Sequence, residues 1–309
     1  MGFKIACPLF HGMPVHLKIR NLLTNHGVHV ACTRIITGMT NILVGVDLKT
    51  AHDRLVVRAG GLARSIGGRV HLLYVADRES DSQRAKRRQS LEELFGHLDA
   101  GCQGDAMVIQ GEPRTVLREQ SGQYDLLVVG PREPAGWRKL LEDAMAVQVI
   151  AGARCPVFVP RSDEPGTSFR RMLMGLNLRR DDAGERLKEA GEWASVMKAR
   201  LDVVFCELNP ARYAYDVSPN YEVEERWLAA REDDQRELDR LLAEKVPSAV
   251  QGKVFLLEEE PGRGLIGLSA DYDVVIVGSA DVAHPSILLG SVAVDVVRHA
   301  QCDVLTLPV

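Results

Sequence analysis

The sequence predicts an α/β protein built from two tandem doubly wound domains, each with a five-stranded, mostly parallel sheet and helices on both faces. Two observations predict this fold class. First, Tyr124–Gly130 reads Y-D-L-L-V-V-G, and Tyr272–Gly278 reads Y-D-V-V-I-V-G in the second half of the chain. Second, short apolar runs alternate with segments of helical periodicity, which is the pattern of βαβ units with parallel strands.

Further matches in the same order support a duplication. They pair Asn41–Asp47 with Arg171–Asn177, Ala59-Gly60 and Ala63 with Ala190-Gly191 and Ala194, Glu112-Pro113 with Glu260-Pro261, and Cys155-Pro156-Val157 with Cys302-Asp303-Val304. Solenoid repeats span only about 20–50 residues, so this much longer spacing indicates duplicated domains. We predict an N-terminal extension at 1–40, domain one at 41–160, a polar linker at 161–170 and domain two at 171–309.

Each element of the first copy follows from local periodicity. The apolar run Ile42–Val46 is bounded by polar residues, as expected of a buried strand. Asp53–Ile66 places its apolar residues on one helical face, and Gly67-Gly68 ends it. The later elements are predicted in the same way: strand Val70–Val75, a charged helix around Gln83–Leu98, strand Met107–Ile109, helix Thr115–Gln120, strand Leu126–Val129, helix Leu141–Ile150 and strand Val157–Val159.

Composition excludes several functional classes. The chain has 309 residues, of which 46% are hydrophobic and 26% charged, as in ordinary globular proteins. A net charge of -4 gives no reason to expect nucleic-acid binding. No apolar run approaches the ~20 residues of a membrane span, so we expect no membrane partner. Six scattered cysteines without a CxxC pair predict reduced thiols and no metal site, and with no secretory signal we expect a cytoplasmic protein.

The first 40 residues match neither copy. They contain no Asp or Glu, whereas four basic residues occur there. Met39-Thr40 directly precedes the first predicted strand. We therefore expect Met39 to be the initiator and 1–38 to be an upstream translated stretch or a species-specific arm, a point that the intact mass of the native protein would decide.

The repeated motifs resemble those of the universal stress protein family, within the nucleotide-binding α/β superfamily. The resemblance rests on the N-I-L-V-G-V-D opening, the repeated Y-D strand and the C-terminal G-S-V-A-V-D-V-V-R-H-A-Q-C-D-V-L-T-L-P-V. It implies a stress-response regulatory or binding protein. ATP-binding members carry a phosphate loop of glycine, two residues, glycine, nine residues, then glycine with Ser or Thr. Such glycines let backbone N–H groups approach phosphate, and the following helix adds its N-terminus.

Domain two keeps the two ends of this loop and alters its middle. Gly278 opens the loop and Gly290-Ser291 closes it, but Asp281 replaces the middle glycine and the loop is one residue short. The resemblance also places Asn177 at the end of the first strand and Cys206 at the end of the second, beside the adenine. It implies that ATP or another adenine nucleotide, with Mg²⁺, binds domain two. The predicted cofactor-binding residues are Asn177, Cys206, Gly278, Ser279, Gly290, Ser291 and Val292. The alternative is a plain strand–loop–helix turn capped by Gly290-Ser291.

Domain one departs further from the family pattern. Its loop opens at Gly130, but Glu142-Asp143 stand where domain two has Gly290-Ser291. Carboxylates suit a helix N-terminus and would occupy the place of phosphate, so we predict a degenerate site. Domain one does keep Asp47 and Val75 at its adenine end.

No catalytic constellation can be named, since the chain lacks Walker, G-x-S-x-G and H-E-x-x-H motifs. The resemblance implies that the two domains pack through their last strands as a pseudo-dimer, imitating the dimer that single-domain relatives form, with a homodimer of the whole chain left open. Two alternatives to a nucleotide-binding regulator stay open. One is a scaffold that binds a protein or an apolar ligand, and the other is a slow nucleotide hydrolase that uses Asp281 or His284 to orient water.

Overall fold

The computed structural model describes residues 41–48, 53–130, 146–161, 169–210, 221–279 and 290–308. The strands in this part of the chain are β1 Asn41–Val46, β2 Arg69–Ala76, β3 Gln103–Gln110, β4 Leu126–Val129, β5 Val157–Val159, β6 Arg171–Gly175, β7 Arg200–Cys206, β8 Gln251–Leu257, β9 Val274–Gly278 and β10 Asp303–Leu307. The helices are α1 Asp53–Ile66, α2 Asp81–Leu94, α3 Pro113–Ser121, α4 Ala183–Met197, α5 Tyr221–Lys245, α6 Pro261–Leu268 and α7 Ser291–His299. Residues 146–150 are also helical.

Most predicted elements agree with the structure in position. The predicted helix Asp53–Ile66 and strand Leu126–Val129 have the bounds of α1 and β4. The third strand was predicted too short, because β3 already begins at Gln103, within a polar stretch. The predicted helix Leu141–Ile150 is seen from residue 146, and its first part lies outside the described residues.

The strands form one continuous sheet in the order β3-β2-β1-β4-β5-β10-β9-β6-β7-β8. Neighbouring strands are parallel except β5 and β10, which pair antiparallel at the centre. The α/β fold class is therefore confirmed, and the two predicted five-stranded sheets join through their last strands. At this junction Phe158 lies opposite Leu305, its equivalent in the internal repeat. A pseudo-two-fold axis thus passes between these two residues.

Helices cover both faces of the sheet. Face one carries α1, α2, α4 and α5, and face two carries α3, residues 146–150, α6 and α7. Strand residues are buried on both sides, as Ile42 and Val44 point to face one and Leu43 to face two, each fully buried. Strands that are buried on both faces consist of continuous apolar runs, and these runs allowed them to be predicted from the sequence. Each face has one core cluster that includes residues of both domains.

Buried charges hold the junction between the domains. Asp303 of β10 is fully buried and accepts hydrogen bonds from Arg58 of α1, at 2.8 Å from Nε and 2.5 Å from Nη2. It also accepts the backbone N–H of Arg161 at 2.7 Å. The Arg161 guanidinium donates to the carbonyls of Val297 and Arg298 in the last turn of α7. Arg161, the first residue of the predicted linker, is thus fixed to domain two.

Two absences concern the described residues alone. In that part of the chain, no helix combines the length and apolar character needed to cross a bilayer. The same residues hold no cluster of three or more His, Cys, Asp or Glu side chains placed to bind a metal ion.

Candidate functional site

The predicted site residues of domain two lie at the carboxyl edge of its sheet. Asn177 follows β6 and is exposed, Cys206 ends β7, and Gly278 ends β9. Strands β7, β6 and β9 are neighbours and all parallel, so their carboxyl ends share one edge. Ligands of open parallel sheets bind at such an edge.

The two ends of the predicted phosphate loop are hydrogen-bonded to each other. Ser279 is buried, and its N–H donates to the carbonyl of Leu307 at 2.8 Å. The Ser279 carbonyl accepts the N–H of Gly290 at 3.4 Å. The start of α7 therefore stands next to the end of β9. Asp281 and His284, in the middle of the loop, lie outside the described residues.

Among the described residues, helix α7 begins without a side-chain cap. Gly290 is the N-cap residue, in an extended conformation, and it makes no side-chain cap hydrogen bond. Ser291 is the first helical residue and is exposed, whereas Val292 packs against the face-two core. By contrast, Glu112 and Glu260 cap α3 and α6. The first-turn N–H groups of a helix have no acceptor within the helix, so an uncapped N-terminus suits an anion.

An arginine that the sequence analysis missed lies beside the loop. Arg186 of α4 has Nη1 at 3.1 Å from the place where a Cβ on Gly278 would lie, and this nitrogen donates to the Pro308 carbonyl at 3.4 Å. Domain one has Leu55 in the matching place, with Cδ2 at 3.4 Å from a Cβ on Gly130. The signal was available, because the match of Ala59 with Ala190 aligns an apolar position of α1 with a charged one of α4.

One carboxylate holds two arginines near Gly278. Asp182 accepts from Arg180, at 2.7 Å from Nε and 3.0 Å from Nη2, and from Arg186 Nε at 2.8 Å. Hydrogen bonds from Arg180 and then Arg186 lower the pKa of Asp182 to about 2. Its charge is therefore fixed at neutral pH. This carboxylate orients both guanidinium groups.

A third arginine, Arg179, forms ion pairs with two carboxylates at this end of the sheet. Arg179 forms a two-pronged ion pair with Asp234 of α5, both contacts at 2.7 Å, and bonds Glu207 at 3.0 Å. It also lies over the ring of Phe205, 5.1 Å from its centroid. Bonds from Asp234 raise the pKa of the guanidinium further. The N–H of Arg179 donates to Asn177 Oδ1 at 2.9 Å, so this amide oxygen is used in a local turn.

Cys206 is packed beneath a helix. A Cβ on Gly264 of α6 would lie 2.8 Å from its Sγ atom. Burial raises the pKa of the Cys206 thiol to about 11, helped by the charges of Glu260 and Glu259. The thiol is therefore neutral at physiological pH and belongs to the face-two core.

The structure describes part of the predicted degenerate site. Asp47 follows β1 and is partly exposed, Val75 lies in β2 and packs on the face-two core, and Gly130 follows β4. Glu142 and Asp143 fall in 131–145, outside the described residues. The loss of the phosphate loop in domain one therefore stays a prediction.

The similarity to curated proteins covers only a part of the length of those proteins. The β' subunits of the DNA-directed RNA polymerases of Thermus thermophilus and Thermus aquaticus match at 25% and 24% identity over 69% of this chain. The chain spans 17% of the length of these relatives. This similarity assigns no polymerase activity to the chain.

Solved structures resemble the chain over most of its length. A universal stress protein from Archaeoglobus fulgidus has a TM-score of 0.66 at 16% identity, covering 89% of this chain and 98% of that one. A functionally unknown protein from Pseudomonas aeruginosa has a TM-score of 0.64 at 20% identity, covering 88% and 94%. A universal stress protein in complex with cAMP aligns with 46% of this chain and 98% of its own, at 21% identity and a TM-score of 0.32.

The family model named Universal stress protein family matches the chain twice, at residues 39–161 and 168–308. Together the two matches cover most of the sequence. They coincide with the two halves that the internal repeat and the joined sheet define. The chain therefore belongs to the universal stress protein family and carries two of its domains in tandem.

Proposed function

We propose that this protein is a stress-response regulatory or binding protein whose domain two binds an adenine nucleotide, ATP or a related one with Mg²⁺. One observation carries the proposal, namely the hydrogen bond between Ser279 and Gly290 that closes the predicted loop. It sets the N-terminus of α7, which no described side chain caps, beside the glycine that ends β9. A phosphate at this point would meet backbone N–H groups and the positive end of a helix dipole.

The adenine end is supported by position and polarity. Asn177 stands exposed at the end of β6, where its amide NH2 group can donate hydrogen bonds while its Oδ1 atom accepts from Arg179. The neutral thiol of Cys206 gives the neighbouring strand an apolar end. Such a pairing of one polar group with an apolar surface suits a purine ring. We further propose that domain one, with Glu142-Asp143 in its loop, does not bind the phosphates.

Equilibrium dialysis of the full chain with labelled ATP and Mg²⁺ tests the proposal, with cAMP, adenosine and GTP as competitors. We expect ATP to be retained with one site per chain. The double variant Gly290→Glu/Ser291→Asp copies the acids of domain one and should abolish retention. The matched variant Gly290→Gln/Ser291→Asn has similar side-chain volumes without the charges and should retain most of it. No retention by the unmodified chain at millimolar nucleotide would reject the proposal.

A scaffold without a nucleotide site is the second candidate. The observation that favours it is the ion pair of Arg179 with Asp234 and Glu207, because these groups already satisfy one another at the sheet edge. Native mass spectrometry of the freshly purified full chain separates the two candidates. A bound mass equal to an adenine nucleotide supports the first, whereas a bound polypeptide or apolar molecule supports the second.

A further inference from the structure

We propose that Arg186 binds the phosphate groups of the domain-two ligand and makes the site selective for polyphosphates over uncharged nucleosides. Asp182 is its positioning residue. As far as adenine is concerned, this inference rests on the proposed function. The proposal that an anion binds at Arg186 rests on the contacts of α4 with the end of β9.

A chain of contacts places Arg186 at the loop. Its Nη1 atom lies against Gly278, at 3.1 Å from a Cβ that glycine lacks. The next residue, Ser279, is hydrogen-bonded through its carbonyl to Gly290, the N-cap of α7. Arg186 and the start of α7 therefore both lie beside the end of β9. The Arg186 guanidinium and the first turn of α7 offer N–H donors there, whereas the Ser279 N–H is already donated to the Leu307 carbonyl.

A guanidinium group lies at this point. Arg186 is held through Nε by Asp182, which Arg180 also bonds. Arg179 is engaged separately by Asp234 and Glu207. The Arg186 side chain is 12% exposed, so its charge is shielded from most solvent. A partly desolvated guanidinium whose Nε is already held by a carboxylate is well oriented to bind phosphate oxygens.

Domain one provides the natural control. Leu55 occupies the place of Arg186 and lies 3.4 Å from a Cβ on Gly130. The same fold thus accepts a leucine above this glycine. Arg186→Leu gives domain two the residue that domain one has at this position. It removes the charge and introduces a side chain that the fold already accommodates there. The two equivalent positions therefore differ in whether a cation lies next to the loop.

The test is isothermal titration calorimetry of the full chain with three probes: ATP with Mg²⁺, inorganic tripolyphosphate and adenosine. We expect Arg186→Leu to weaken ATP and tripolyphosphate roughly 10- to 100-fold, the range of a lost hydrogen-bonded charge contact, and to leave adenosine unchanged. Arg186→Lys should restore part of the tripolyphosphate affinity. Arg64→Leu, which removes an exposed guanidinium on α1, controls for the change in net charge. If Arg186→Leu does not fold, as judged by its thermal melt, Arg186→Gln carries the same test.

The outcomes separate the inference from the proposed function. If the unmodified chain binds ATP and the Arg186 variants bind it equally well, the inference is overturned and the proposed function stands. If tripolyphosphate binding depends on Arg186 but ATP binds no more tightly than tripolyphosphate, the inference stands and adenine recognition is overturned. If neither ATP nor tripolyphosphate binds the unmodified chain, both are overturned.

Discussion

The carboxyl group of Glu189 has an environment unlike that of its equivalent in domain one. Burial raises the pKa of Glu189 to about 7, and Glu192 adds repulsion while Arg186 opposes the shift. The internal alignment matches Glu189 with Arg58, and it matches Asp303, the partner of Arg58, with Pro156. Asp303 of domain two balances the charge of Arg58, but the equivalent position in domain one is Pro156, which cannot ionise. A carboxyl group left this way favours its protonated form.

Glu189→Gln should change the pH dependence of stability. Because the folded pKa of Glu189 lies above its ordinary value, its stabilising contribution is complete below about pH 4.5 and is lost as the pH rises through about 7. Glutamine imitates the neutral acid at every pH. We expect Glu189→Gln to raise the free energy of unfolding at pH 8.5 by about 1–3 kcal/mol and to change it little at pH 4.5.

Urea denaturation at the two pH values measures this difference. Glu185→Gln is the control, since Glu185 is an exposed acid on the same helix. Equal stability of Glu189→Gln and the unmodified chain at pH 8.5 would show that the carboxyl group is hydrated in the folded protein.

A sheet irregularity recurs at the level of elements. The pairing of β2 with β3 shifts register between Val70 and Leu72, and that of β7 with β8 shifts between Leu201 and Val203. In each case a side chain of the inner strand takes up an N–H of the edge strand. His71 Nδ1 accepts from Asp105 at 3.2 Å, and Asp202 Oδ1 accepts from Lys253 at 2.7 Å. A bulge leaves backbone groups unpaired, and both domains satisfy them in the same way.

Gly252 permits this bulge in domain two. A Cβ there would collide with Asp202 Oδ1 and would lie 2.5 Å from the Leu201 carbonyl oxygen. Backbone cannot move aside as a flexible side chain can, so we expect Gly252→Ala to destabilise the fold by about 1–3 kcal/mol. Gly267→Ala is the contrasting control, because Gly267 lies exposed in α6 with open space around it and alanine should stabilise that helix by about 0.5–1 kcal/mol. Thermal unfolding of both variants decides the matter. A Gly252→Ala protein as stable as the unmodified one would mean that the bulge can relax.

The bounds of some strands could be predicted from the sequence, whereas the bulged start of β3 could not. Leu126–Val129 is apolar throughout and buried on both faces, so its bounds were predicted as found. Gln103–Asp105 is polar and lies in the bulged start of an edge strand, where periodicity fails. The contact of Arg186 with Gly278 was missed because these residues lie far apart along the chain and only the folded sheet brings them together. A sequence signal for Arg186 existed in its alignment with the apolar Leu55.

At the scale of the whole molecule, the junction of β5 with β10 keeps its two-fold symmetry in the backbone but not in its charged side chains. Phe158 and Leu305 still face each other across the pseudo-two-fold axis. The contact of Arg58 with Asp303 has no mirror image, since Glu189 and Pro156 occupy the equivalent positions. The joining of the last strands could be predicted from the resemblance to the family, whose single-domain members form such a dimer. The buried ion pair could not, because it joins residues in different domains and depends on one substitution in each copy.

Breaking this pair should cost more stability than any exposed ion pair of the same helix. Arg58→Met leaves Asp303 fully buried without its guanidinium, and we expect a loss of about 3–5 kcal/mol. Arg64→Met breaks the exposed pair with Asp99 and should cost less than about 1 kcal/mol. Adding Asp303→Asn to Arg58→Met should recover part of the loss, because asparagine is neutral and its Oδ1 can still accept the Arg161 N–H. Urea denaturation measures all three variants. If Arg58→Met were no less stable than Arg64→Met, the junction would be held by its apolar contacts alone, and the asymmetry of the pair would be neutral for folding.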